Sequence, residues 1–152
     1  MAGSFVQVQV RGKTQISQAL NKLIKNTSNV EPALAEIGEY LLESTQQRFV
    51  DMQAPDGSPW EPLSETTLSR KNRTDRILTE SGTLADTLNY QISNNELSLG
   101  SNMEYAAMHQ FGGTTSPFSA FPNQEIPARP FLGIAPFERL EILDILNDHI
   151  EN

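Results

Sequence analysis

Residues 88–101 read LNYQISNNELSLGS, and one way of folding them back on themselves suits every position at once. Asn94 and Asn95 form a candidate two-residue turn, because asparagine tolerates the positive φ angles that a tight hairpin requires. Turning there sets Ser93 opposite Glu96, Ile92 opposite Leu97, Gln91 opposite Ser98 and Tyr90 opposite Leu99. Apolar then meets apolar and polar meets polar at each step. A slip of one residue reverses every face and destroys the match. The spacing therefore predicts an antiparallel β-hairpin over about 88–101 as the centre of the fold.

The flanking segments supply material to pack on it. Val6, Val8 and Val10 alternate with Gln7 and Gln9, which is the period of a half-buried strand. Thr14 is a candidate N-cap for a helix over about 15–26, with Ile16, Leu20, Leu23 and Ile24 on one face. A second, longer helix is predicted from about Glu31 to Phe49, with Pro32 in its first turn. Leu34, Ile37, Leu41, Leu42 and Phe49 form its buried stripe, and Glu36, Glu39 and Glu43 lie on other faces as solvated charges. Residues 51–63 hold three prolines and a glycine and read as loop, with a turn at Pro55-Asp56-Gly57. Trp60, the single tryptophan, either anchors that loop on the domain or contacts a partner. Ser64 and Ser81 are candidate caps of two short helices, the second presenting Leu84, Ala85 and Leu88.

Beyond the hairpin, residues 103–112 (MEYAAMHQFG) suggest a short helix closed by Gly112. Residues 112–130 read as a long structureless loop, a kind of segment that usually has a task. Phe118 and Phe121 lie in it, so either the loop folds back or another subunit receives it. Phe131 to Ile134 suits a strand or an extended pairing segment, with Phe131 in the core. Pro136 starts a terminal helix whose apolar side is expected to be Phe137, Leu140, Leu143, Ile145 and Leu146. Asp144, Asp148 and Glu151 crowd the end of that helix, where the macrodipole disfavours anions. A frayed end or a docked basic neighbour accounts for them. The expected class is α+β: an antiparallel sheet around the hairpin, packed against the long helix and the C-terminal helix, in one domain over 1–152.

Charge narrows the partners. The net charge is −8, the wrong sign for broad binding to nucleic-acid phosphates. The basic residues are clustered: Arg70, Lys71, Arg73 and Arg76 fall within seven positions beside one acid, Asp75. This is either a solvated loop or a docking point for an acidic neighbour, such as another copy of the chain. No apolar run approaches the roughly 18 residues of a membrane span, and the N-terminus has no signal-peptide pattern. With no cysteine, disulfides and thiolate metal sites are excluded.

Catalytic patterns are scarce. The two histidines, His109 and His149, have no metal-ligand spacing, and His149 at the chain end is expected to be incidental. Gly112-Gly113 has no following lysine to cradle phosphate. Glu80, Glu104 and Glu125 leave open a paired-carboxylate cell-wall hydrolase, and the Arg70–Arg76 stretch a small nucleic-acid-binding module. Neither carries a motif with a mechanism, so the expectation is no enzyme, no cofactor and no metal.

The loops carry a resemblance. PDGSPWEPLS at 55–64, then Thr67, Lys71, Leu78, Ser81-Gly82 and Leu84, then Leu99-Gly100-Ser101, Tyr105-Ala106 and His109-Gln110-Phe111-Gly112, and finally IPARPFLG at 126–133, are similar in order to the phage virion morphogenesis family, the tail-completion proteins of Mu-like phages. The resemblance covers about half the chain and is most specific where HQFG precedes IPARPFLG. It implies a structural virion protein that completes the tail and joins it to the head, within a ring of its own copies and beside other neck or tail proteins. A related connector or tail terminator is the alternative. The implied place is the virion, with assembly in the host cytoplasm. The acidic body suits a subunit lining a conduit through which DNA slides. The interface candidates are Trp60, Arg70, Lys71, Arg73, Arg76, Phe118, Phe121 and Arg129. Arg129, held between prolines, suits a clasp on a carboxylate within the domain or across an interface. His109 and Gln110 are expected to complete the hydrogen bonding of the neighbouring loop.

Overall fold

The computed structural model describes residues 14–61, 83–103, 106–114, 117–118, 123 and 125–151. The strand expected at Val6–Val10, the helix expected near 65–71 and the cap at Ser81 lie outside the described residues.

Three long helices and a hairpin make the frame. α1 spans Thr14–Asn26 and α2 spans Glu31–Asp51. A single helical turn, α3, covers Thr83–Asp86. Strands β1 (Asn89–Ser93) and β2 (Glu96–Gly100) follow, then the short helix α4 (Ala106–Phe111). Two-residue strands β3 (Gly113–Thr114) and β4 (Glu125–Ile126) precede the terminal helix α5 (Pro136–Glu151). The class is α+β, as expected.

The hairpin has the register that residue matching requires: Asn89 faces Gly100, Tyr90 faces Leu99, Gln91 faces Ser98, Ile92 faces Leu97 and Ser93 faces Glu96. Asn94 and Asn95 turn the chain with φ of 52° and 62°, the twofold positive φ of the primed hairpin turns. A β-branched side chain is strained in that region. Asn95→Val is expected to lower stability by about 1–2 kcal/mol in urea unfolding.

The apolar side of the hairpin lies on α2. Ile92, Leu97 and Leu99 pack against the core, and Tyr90 lies over Gly38. A Cβ at Gly38 would stand 2.6 Å from the Tyr90 ring. This explains a glycine in mid-helix, where it costs about 1 kcal/mol relative to alanine. The Tyr90 hydroxyl then reaches across α2 and donates to Glu39 at 2.7 Å, a bond that raises the phenol pKa. Gly38→Ala is expected to be destabilising by about 1–3 kcal/mol despite its better helix propensity, because the ring has to lift. Chemical denaturation measures this, and a stability gain would refute the packing argument.

Helix α2 threads two apolar clusters. Its N-terminal half joins Leu23 of α1 and Ile142, Ile145 and Leu146 of α5 around Val30, Ala33, Leu34, Ile37 and Leu41. Its C-terminal end puts Phe49 among Ala54, Trp60, Leu84, Leu88, Ala106, Phe131 and Leu132. Leu99 touches both clusters. The helix ends at Met52, which takes a left-handed conformation (φ 56°) while the Gln53 N–H donates to the Arg48 carbonyl.

Four expectations are corrected. The 112–130 stretch is not structureless: Gly113 pairs with Ile126 and Thr114 with Glu125, so its ends are held as a short ladder. Phe131 to Ile134 forms no strand, because side chains rather than a neighbouring strand satisfy its backbone. The buried side of α5 is Glu138, Ile142, Ile145 and Leu146, while Phe137 and Leu140 are 63% and 66% exposed. Counting apolar residues placed Ile145 and Leu146 inside correctly but not Phe137 and Leu140, because a charged residue holds one of the inward positions. Finally, α5 runs to Glu151, and His149 Nε2 lies 3.0 Å from Glu36 Oε1, tying the helix end to the start of α2.

Candidate functional site

Residues 129–132 carry no regular secondary structure although Arg129, Phe131 and Leu132 are buried. Buried main-chain polar groups need partners, and here they come from scattered places. The Arg129 N–H donates to the His109 carbonyl at 2.7 Å. Trp60 Nε1 donates to the Pro130 carbonyl at 2.8 Å. Gln110 Oε1 accepts from the Phe131 and Leu132 N–H groups at 3.0 and 2.9 Å, and its Nε2 donates to the Leu132 carbonyl at 3.2 Å. One side-chain amide thus does what an adjacent strand would do. Arg48 Nη1 donates to the Phe131 carbonyl at 2.7 Å.

Arg48 also pairs through Nη2 with Glu138. Glu138 is fully buried, and its Oε1 accepts from the Ala135 N–H at 2.7 Å as well. That bond is the reach-back half of a capping box: the third residue of α5 satisfies the N–H of the residue before the helix. Ser44 Oγ donates to Oε2 of the same carboxylate. Burial lowers the Arg48 pKa from its ordinary value, and the Glu138 charge opposes that shift. The cluster therefore pins the 131–138 segment to α2 from inside the protein. Neither Arg48 nor Glu138 was among the sequence candidates. Arg48 falls seven residues after Leu41 on the buried stripe, and Glu138 holds the helix position from which a glutamate reaches back, so both carried a faint local signal.

The sequence-derived candidates separate into inner and outer groups. Trp60 is 4% exposed and packs edge-on to Phe49 at 5.3 Å between ring centroids, so it anchors the 51–61 loop on the domain. Arg129 is buried, and its Nε donates to the Glu61 carbonyl at 2.8 Å, a contact within the chain. Burial lowers its pKa. Gln110 completes the hydrogen bonding of the adjacent segment as expected, and Phe131 is fully buried. Phe118 is 97% exposed. Arg70, Lys71, Arg73, Arg76 and Phe121 lie outside the described residues. Among the described residues no group of three His, Asp or Glu side chains could hold a metal ion, and no helix is long and apolar enough to cross a membrane.

The segments that meet at this cluster, the turn with Trp60, the HQFG helix end and the 126–133 stretch, are those that carry the resemblance. Comparison with known proteins decides the matter, because the model of the phage virion morphogenesis family matches residues 12–151. The chain belongs to that family. It is 28% identical to the Mu-like prophage FluMu G protein 2 of Haemophilus influenzae, over 97% of each chain. It is 34% identical to the putative capsid assembly protein G of Escherichia phage Mu, over 72% of each. It is 28% identical to the tail completion protein S of Escherichia phage P2, over 77% of this chain and 81% of that one. No solved structure matches it. Within the phage virion morphogenesis chain, the motif residues Trp60, Gln110, Arg129 and Phe131 are all buried and tie the scaffold together.

Proposed function

We propose that this chain is a structural subunit of the phage neck or tail end, completing the tail and joining it to the head within an oligomeric ring of its own copies. The family match over nearly the whole chain carries the reading, and the likeness to a tail completion protein supports it. Membership makes the chain a virion-building component and not an enzyme. Its work is to hold neighbours, which suits a rigid interior and an exposed aromatic such as Phe118. The acidic balance of −8 suits a lumen that repels phosphate, so that DNA slides through. Assembly takes place in the host cytoplasm, and the mature position is the virion neck or tail.

Phage lacking the gene are expected to accumulate full heads and separate tails, seen by electron microscopy of lysates. Normal particles would refute the joining role. A second reading, capsid assembly, is favoured by the likeness to the putative capsid assembly protein of phage Mu. It predicts malformed or missing heads in the same lysates, and the protein in head fractions rather than at tail ends.

A further inference from the structure

The terminal helix presents an outward face that nothing in the interior explains. Phe137 and Leu140, three residues apart, are 63% and 66% exposed at its start. Helical spacing continues the same face through Glu141, Asp144, Asp148 and Glu151, all exposed. Among the described residues of α5, this face carries four acids and no base. The basic residues of the helix lie elsewhere: Arg139 is off this face, and His149 is turned to Glu36. Carboxylates in the last turns also oppose the helix dipole, a cost that a bound cation relieves. An exposed aromatic and leucine beside unneutralised acids suit a partner that brings both an apolar contact and positive charge.

The sequence holds such a complement. Arg70, Lys71, Arg73 and Arg76 concentrate four of the eleven basic residues, and the chain outside the 70–76 stretch has a net charge of −11. We propose that the exposed face of α5 docks a second copy of this chain through its 70–76 segment. The inference rests on the ring reading above and specifies its contact. A second copy of the chain supplies this charge complement. Acid face and basic segment are different parts of the chain, so the contact is heterologous, and a heterologous contact that closes makes a ring.

The test uses two full-length variants, Asp144→Asn with Asp148→Asn, and Arg70→Gln with Arg73→Gln. Circular dichroism first confirms that each is folded. In sedimentation velocity the wild-type chain is expected to form closed oligomers, and each variant alone to self-associate about tenfold more weakly or worse. Mixing the two is the deciding step. Each variant keeps one intact surface, so an equimolar mixture is expected to give a one-to-one dimer and nothing larger. Adding Phe137→Ser to the Arg70→Gln, Arg73→Gln partner, which supplies the intact acid face, is expected to weaken that dimer. Wild-type-like oligomers from either variant would overturn this interface while leaving the ring reading standing. Failure of the mixture to dimerise would overturn the pairing in favour of a contact within one chain or to another basic partner. A wild-type chain that stays monomeric at every concentration would overturn both.

Discussion

Glu138→Ala is expected to lower stability by about 3–5 kcal/mol, a large share of the roughly 5–15 kcal/mol that holds a domain of this size together. Glu138 is fully buried and answers three donors: the Arg48 guanidinium, the Ala135 N–H and the Ser44 hydroxyl. Removing it strands the Arg48 charge, which is 6% exposed, and uncaps the first turn of α5. A guanidinium left in an apolar interior costs far more than a lost surface pair. The double variant Arg48→Met, Glu138→Leu is expected to lose less than the two single variants combined, because no lone charge remains. Urea unfolding with an unchanged m value measures the single variants and the double. A Glu138→Ala protein within about 1 kcal/mol of wild type would show that the charge pair does not hold the segment.

Gln110→Met is expected to cost about 3–5 kcal/mol, although methionine keeps nearly the same volume. The amide of Gln110 is bonded to the Phe131 N–H, the Leu132 N–H and the Leu132 carbonyl. All three lie in a segment that is buried at Phe131 and Leu132, and each unsatisfied group costs about 1–3 kcal/mol. The effect is expected to be local before it is global. Amide hydrogen exchange at Phe131 and Leu132 rises sharply in the variant, while exchange in the β1–β2 hairpin is little changed. Equal protection of those two amides in variant and wild type would mean that another group satisfies them. The phage virion morphogenesis motifs acquire a physical meaning here: HQFG and ARPFL belong together because a side-chain amide of one binds the main chain of the other.

Much of the frame is legible in the residues themselves. The hairpin register follows from polar and apolar matching around Asn94-Asn95, and it is the register observed. The stripes of α1 and α2 also follow from spacing, since Leu23, Leu34, Ile37, Leu41 and Phe49 are all buried. The terminal helix is less legible. Its apolar residues surround it on several sides, so periodicity alone cannot choose a face, and Phe137 and Leu140 turn out to be exposed. Trp60 was open between anchor and contact from sequence, and only the position of the Pro130 carbonyl resolves it as an anchor. Arg129 was expected to clasp an acid; its Nε donates to the Glu61 carbonyl, an acceptor no side-chain pattern announces.

The amino-acid order by itself determined much of the short-range structure: where the hairpin turns, which of its positions pair, and which faces of α1 and α2 are apolar. Those properties depend on residues a few places apart, so local sterics and periodicity fix them. Only the tertiary structure decided which polar groups go inside. Arg48 and Glu138 are separated by 90 residues, and Gln110 and Leu132 by 22. A charged or amide side chain is stable in the interior only when its partner arrives there too, and that arrival is a property of the whole fold.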